Sequence, residues 1–115
     1  MANGSFNIEK ITWYSLISQT TLTTDYATIN TLNGRKIGDY EVLILQFFRG
    51  DWIIGGVTIV RSQFVSSTGV AAVCKWSSEE IEIDVKYVSD TQVSAKKITS
   101  SSAKISFRLA GLASN

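Results

Sequence analysis

The sequence predicts an all-β domain, an antiparallel β-sandwich or jelly roll of about eight strands. Three observations carry that reading. β-branched and aromatic residues recur in short runs, and Gly, Ser, Asn and Asp punctuate those runs at near-regular spacing. No window carries the 3.6-residue period of a long amphipathic helix. At 115 residues the chain is read as one domain, residues 1–115 with 1–5 as a flexible tail, long enough to bury a core without disulfide or metal staples.

The elements follow in order. Phe6 to Ile17 reads as a strand, Ser18 to Asp25 as a polar Thr-rich connection, and Ala27 to Leu32 as a second, short strand. Asn33-Gly34 is a tight turn, because both residues tolerate positive φ. Two long apolar strands follow, Asp39 to Phe48 and Trp52 to Val60, separated by the hairpin-length break Arg49-Gly50-Asp51. One turn of helix fits near Ser62-Gln63-Phe64, then a loop from Ser66 to Gly69 and a strand from Val70 to Trp76. The last third alternates cleanly: Ile81, Ile83, Val85 and Tyr87 point one way, Glu80, Glu82, Asp84 and Lys86 the other. Ser89-Asp90-Thr91 turns the chain into Gln92 to Ile98. Ser100-Ser101-Ser102 turns it into Lys104 to Ala110, where Ile105, Phe107 and Leu109 oppose Lys104, Ser106 and Arg108.

The first long strand breaks this alternation. Val42, Leu43, Ile44 and Leu45 are apolar in succession, so both faces of that strand are expected to be covered. A second sheet of the same chain covers one face, and a neighbouring copy most easily covers the other. Val42, Leu43, Ile44, Leu45, Phe47 and Phe48 are therefore the subunit-interface candidates, and a charge at Leu43 or Leu45 is expected to dissociate or unfold the oligomer. Proline is absent, so sheet edges need protection by charge, bulges or a partner. Gly55-Gly56 inside an apolar strand marks a bulge or a close approach of another backbone.

Composition excludes much chemistry. With no histidine, the commonest general base and metal ligand is missing, and Ser-His-Asp and Cys-His arrangements are impossible. Cys74 is the single cysteine, so no intrachain disulfide forms, and its apolar run reads as a small buried hydrophobe. No metal or cofactor is expected, and no Gly-rich phosphate loop is present. A net charge of +1 and the lack of a basic cluster give no attraction to nucleic acid. No run reaches transmembrane length, and no secretory signal opens the chain, so membrane insertion is not expected. Glu79, Glu80, Glu82 and Asp84 form the densest carboxylate group. A solvated face paired with Lys96, Lys97, Lys104 or Arg108 explains them more simply than a cation site or a glycosidase pair. No catalytic residue is assigned, and the chain is read as a non-enzyme.

Aromatic residues beside polar loops leave a recognition role open. Trp13, Trp52 and Trp76 each fit core or interface packing, yet Trp52 and Trp76 could also offer stacking surface to a sugar. With Arg49 and Asp51 they are the ligand-binding candidates, on the loops Arg49-Gly50-Asp51-Trp52 and Ser77-Ser78-Glu79, beside a third candidate loop at Ser66-Ser67-Thr68-Gly69. The Arg-Gly-Asp tripeptide itself is treated as a turn.

Asp39-Tyr40-Glu41-Val42-Leu43-Ile44, and again Asp84-Val85-Lys86-Tyr87-Val88-Ser89-Asp90-Thr91-Gln92-Val93, resemble the receptor-binding tip domains of bacteriophage tail fibres. Those domains are similar in pairing a Tyr-x-x-Leu/Ile strand with a later hairpin. The likeness spans roughly Trp13 to Phe107, through soft β-patterned motifs. It implies a homotrimeric, knob-like β-sandwich on a virion surface that attaches to a host glycan or protein, after synthesis in the host cytoplasm. With Met1 close to the first strand, a small standalone phage protein of that type fits equally. A carbohydrate-binding module of cellular origin is the alternative.

Overall fold

The computed structural model describes residues 11–66, 70–76, 79–98 and 103–114, and within it two four-stranded antiparallel sheets share one core. β1 (Ile11–Thr21), β8 (Ile105–Ser114), β3 (Val42–Arg49) and β4 (Trp52–Val60) form the first sheet in that order. β2 (Ala27–Asn30), β7 (Gln92–Lys97), β6 (Glu79–Ser89) and β5 (Val70–Trp76) form the second. The first two strands pair with the last two, and plain hairpins β3–β4 and β5–β6 lie between.

β1 runs further than the residues alone indicate, through Ser18-Gln19-Thr20-Thr21. Register shifts between Ser15 and Ile17 and between Ile17 and Thr20 break its alternation, so Leu16 and Ile17 are buried in succession. A period-two reading misses such a strand. Beyond it, Leu22 reaches back to the core through its amide, which donates to Ile105 O at 2.8 Å.

β2 stops at Asn30, and Leu32 belongs to a 3-10 turn, Leu32–Gly34. Asn33 (φ 53°) and Gly34 (φ 68°) take the left-handed conformation there. A second 3-10 turn, Ile37–Asp39, buries Ile37 completely. Gly50 (φ 61°) turns the β3–β4 hairpin. The bulge in β4 lies beside the glycine pair: Phe47 faces Gly55 and Phe48 faces Ile53, leaving Ile54 as the extra residue. The helical turn is α1 (Arg61–Ser66), which drives Phe64 into the core, edge-on to Tyr87 at 5.9 Å. β8 continues past Ala110 to Ser114 and gives β1 its partner.

Leu43, Leu45, Phe47, Ile105, Phe107 and Leu109 project from the first sheet onto Ile81, Ile83, Val85, Val93 and Ala95 of the second, and all are buried. Each of these side chains other than Ala95 contributes about 1.5–3 kcal/mol by leaving water. Gly111 has a specific role. A Cβ there would stand 2.4 Å from the Tyr40 ring, so glycine lets Tyr40 lie against β8, with Tyr14 beside it at 5.6 Å.

This packing corrects part of the interface assignment. Leu43 and Leu45 are 0% exposed within one chain and Phe47 is 2% exposed, so these three are core residues facing the protein's own second sheet. Val42, Ile44 and Phe48 alternate with them and turn to the opposite face, where each is only half-buried.

Candidate functional site

The antiparallel register lines up four side chains at each level of the first sheet, and the outward levels form a surface. At the α1 end the row reads Trp13, Leu112, Val42, Val60. Next comes Ser15, Ala110, Ile44, Thr58, and then Arg108, Gln46, Gly56. At the hairpin end Thr21, Ser106, Phe48 and Ile53 complete it. One row is therefore apolar throughout, two combine apolar residues with Ser and Thr, and one is polar. Trp13 is 45% exposed, Val60 50% and Ile53 55%, all at the sheet's two edges, whereas Ala110 in the middle is covered by its neighbours. Ser106 is buried here, and its hydroxyl accepts a 3.0 Å bond from Gln19 Nε2. Six residue steps from Val42 to Phe48 across four strands make about 20 Å by 19 Å, a patch of roughly 400 Å². The largest apolar patch on a typical monomer covers about 300–600 Å² and is often functional, so an area of this size is a candidate interaction surface.

The edge strand β4 adds to this. Between Asp51 and Arg61 it carries no charge and no proline, and most of its length is exposed. β1 is interrupted by two register shifts and β2 is four residues long, so those edges resist pairing with another strand better than β4 does.

The hairpin tip gathers the ligand candidates Arg49, Asp51 and Trp52. Trp52 is 71% exposed, so it is not a core residue, and Asp51 is exposed beside it. Arg49 instead turns toward the second sheet, where its Nε donates to Glu79 Oε1 at 3.1 Å and ties the tip across the sandwich. Gly50 anchors the turn through its amide to Lys104 O at 2.8 Å. The side chains of Trp76 and Cys74, and the loop positions 67–69 and 77–78, lie outside the described residues.

The outer face of the second sheet is built differently. Asp84 stands opposite Lys96, and Lys86 opposite Ser94. Tyr26 caps them: its hydroxyl donates to the Asp84 carboxylate, and its ring has Lys86 Nζ at 4.3 Å and Lys96 Nζ at 4.5 Å. Of the cations weighed as partners for the carboxylates, Lys96 and Lys97 are on the adjoining strand. Arg108 is on the other sheet and Lys104 leads into that sheet, so neither lies across the strand from them. Tyr26 was not foreseen; a lone Tyr in a polar connection gives no periodic signal.

At the α1 end a third polar group closes the sandwich. Tyr87 Oη donates to Asp90 Oδ1 at 2.9 Å, and that bond with the Asp90 charge, together with burial, raises the Tyr87 pKa above the ordinary tyrosine value. Ile37 N donates to Asp90 O, and Arg61 Nη1 donates to Gly38 O at 2.6 Å. These bonds hold the loops together. Among the described residues no three His, Cys, Asp or Glu side chains are placed to hold a metal ion, and no helix is long and apolar enough to cross a membrane.

Comparison with protein-family models, curated proteins and solved structures finds no match to this chain.

Proposed function

We propose that this protein is a non-enzymatic, self-assembling β-sandwich that serves as a structural or host-recognition knob on a phage surface, working as a homotrimer. The observation that carries the reading is the outer face of β1-β8-β3-β4, with Trp13, Leu112, Val42 and Val60 in one row and Ile44 and Ala110 in the next. Obligate interfaces are rich in apolar side chains, and this face carries them in three of its four rows while the opposite face of the molecule is charged. The resemblance of the Asp39–Ile44 and Asp84–Val93 segments to tail-fibre tips supplies the setting, the virion surface, and the partner, a host glycan or protein.

The test is a substitution on that face which spares the core. Ile44→Asp is expected to leave the far-ultraviolet circular dichroism unchanged and to convert the assembly to monomers in sedimentation. A folded Ile44→Asp protein that assembles like the native chain overturns the reading.

Trp52 favours a second reading, a carbohydrate-binding module. An indole 71% exposed beside Asp51 at a hairpin tip offers a stacking face and a hydrogen-bonding carboxylate. In that case the native chain binds glycans as a monomer or dimer, and Trp52→Ala abolishes binding with the fold intact.

A further inference from the structure

Arg108 is the one formal charge among the described strand residues of the outer face of the first sheet. Its neighbours on β8, Phe107 and Leu109, are buried inward, so it projects outward, level with Gln46 on β3 and Gly56 on β4. Among the described residues its side chain forms no hydrogen bond or ion pair. The rows on either side of this polar belt carry Ile44 and Ala110 toward one end and Phe48 and Ile53 toward the other. Covering the face thus encloses a guanidinium between apolar layers, and an enclosed charge requires a counter-charge.

The width of the sheet decides what arrives there. Four strands at about 4.8 Å make a wall about 19 Å across, and three such walls around a three-fold axis place each roughly 5–6 Å from it. That is about half the 10 Å spacing at which sheets pack face to face, so side chains from all three copies reach the middle. The small Ala110 lies on a central strand, where the wall is nearest the axis, and the larger Trp13 lies at an edge, where there is more room. On this geometry three copies of Arg108 point at one level of the axis. No carboxylate stands among the described strand residues of that face to neutralise them.

We infer that the three Arg108 guanidinium groups, flanked by the Gln46 amides, bind one small tetrahedral oxyanion, phosphate or sulfate, on the three-fold axis. The inference rests on the trimeric reading above. Guanidinium groups donate paired N–H bonds to such oxygens, and the Ile44, Ala110, Phe48 and Ile53 side chains on either side limit the water that would screen them. The site exists only in the assembly, since each chain supplies one third of it.

The experiment is sedimentation of the native chain and of Arg108→Gln at matched ionic strength in chloride, phosphate or sulfate, with calorimetric stoichiometry for each oxyanion. The native trimer is expected to form at a concentration at least tenfold lower in phosphate or sulfate than in chloride, with one oxyanion bound per three chains. Arg108→Gln is expected to form a trimer with no preference among the three salts. A native trimer indifferent to phosphate and sulfate, or one oxyanion per chain, overturns the anion site and leaves the assembly standing. Retained oxyanion response in Arg108→Gln also overturns it. A native chain that is monomeric in every salt removes the trimer, and the site with it.

Discussion

The two sheets both face the core with apolar side chains and differ on their outer faces. Outward from the first sheet stand Trp13, Val42, Ile44, Phe48, Ile53 and Val60, with Arg108 the one charge among its described strand residues. Outward from the second stand Thr28, Ser94, Lys86, Asp84 and Lys96, with Tyr26 laid across them. Both faces obey the same alternation, and the inward residues are equally apolar. A sheet that faces water throughout its life gains nothing from outward isoleucine and tryptophan and risks aggregation. The contrast separates a charged outer face from one that carries apolar side chains, the face proposed above to meet another copy of the chain.

The largest expected effect comes from exchanging the character of the two faces. Ile44→Asp is expected to weaken association at least 100-fold, about 2.7 kcal/mol, whereas Thr28→Asp on the second sheet leaves the sedimentation profile unchanged. Equal effects at both positions would erase the distinction between the faces. A second change probes the close packing of β8 against Tyr40 without touching either outer face. Gly111→Ala puts a methyl group against the Tyr40 ring and is expected to cost about 1–3 kcal/mol in denaturant unfolding, measured on the dissociated Ile44→Asp background. A change within about 0.3 kcal/mol would mean that Tyr40 yields freely.

Smaller effects are expected on the charged side. Replacing Glu80 and Glu82 by Gln and Asp84 by Asn removes exposed and half-exposed charges, and each is expected to cost about 1 kcal/mol or less. Assembly and any surface binding are expected to persist; a hydrolytic activity lost with these carboxylates would overturn the non-enzyme reading. The smallest effect is alkaline. Because the Tyr87 pKa is raised in the folded chain, its bond to Asp90 stabilises fully below the ordinary tyrosine pKa of about 10, and that contribution is lost as pH rises through the higher folded value. Tyr87→Phe is expected to flatten the loss of stability above about pH 10, read by thermal unfolding at stepped pH.

Much of the fold was legible because alternation is a local signal. Ile81, Ile83 and Val85 point inward as their spacing dictates, and Asn33-Gly34 turns with both φ values positive. The end of β1 was not legible: Ser and Thr suit exposed strands and loops alike, and two register shifts hide the period. Four apolar residues in a row at Val42 to Leu45 predict that both faces of β3 are covered. They do not say which face meets the chain's own second sheet, because that depends on the pairing of β3 with β4 and β8 and on where Ile81 to Val85 come to lie. Leu43 and Leu45 were therefore placed at an interface when they are core. Trp13 carries no local signal that distinguishes core, interface and exposed surface, and its place at the end of an apolar row follows from its register with Leu112, forty residues or more from every other member except Val42.

The central claim is that the outer face of β1-β8-β3-β4 is covered by copies of the same chain. Sedimentation equilibrium of the native protein at micromolar concentration tests it most directly. The account predicts a single species of three times the 12.6 kDa chain mass. A compact, stable monomer across that concentration range would contradict it.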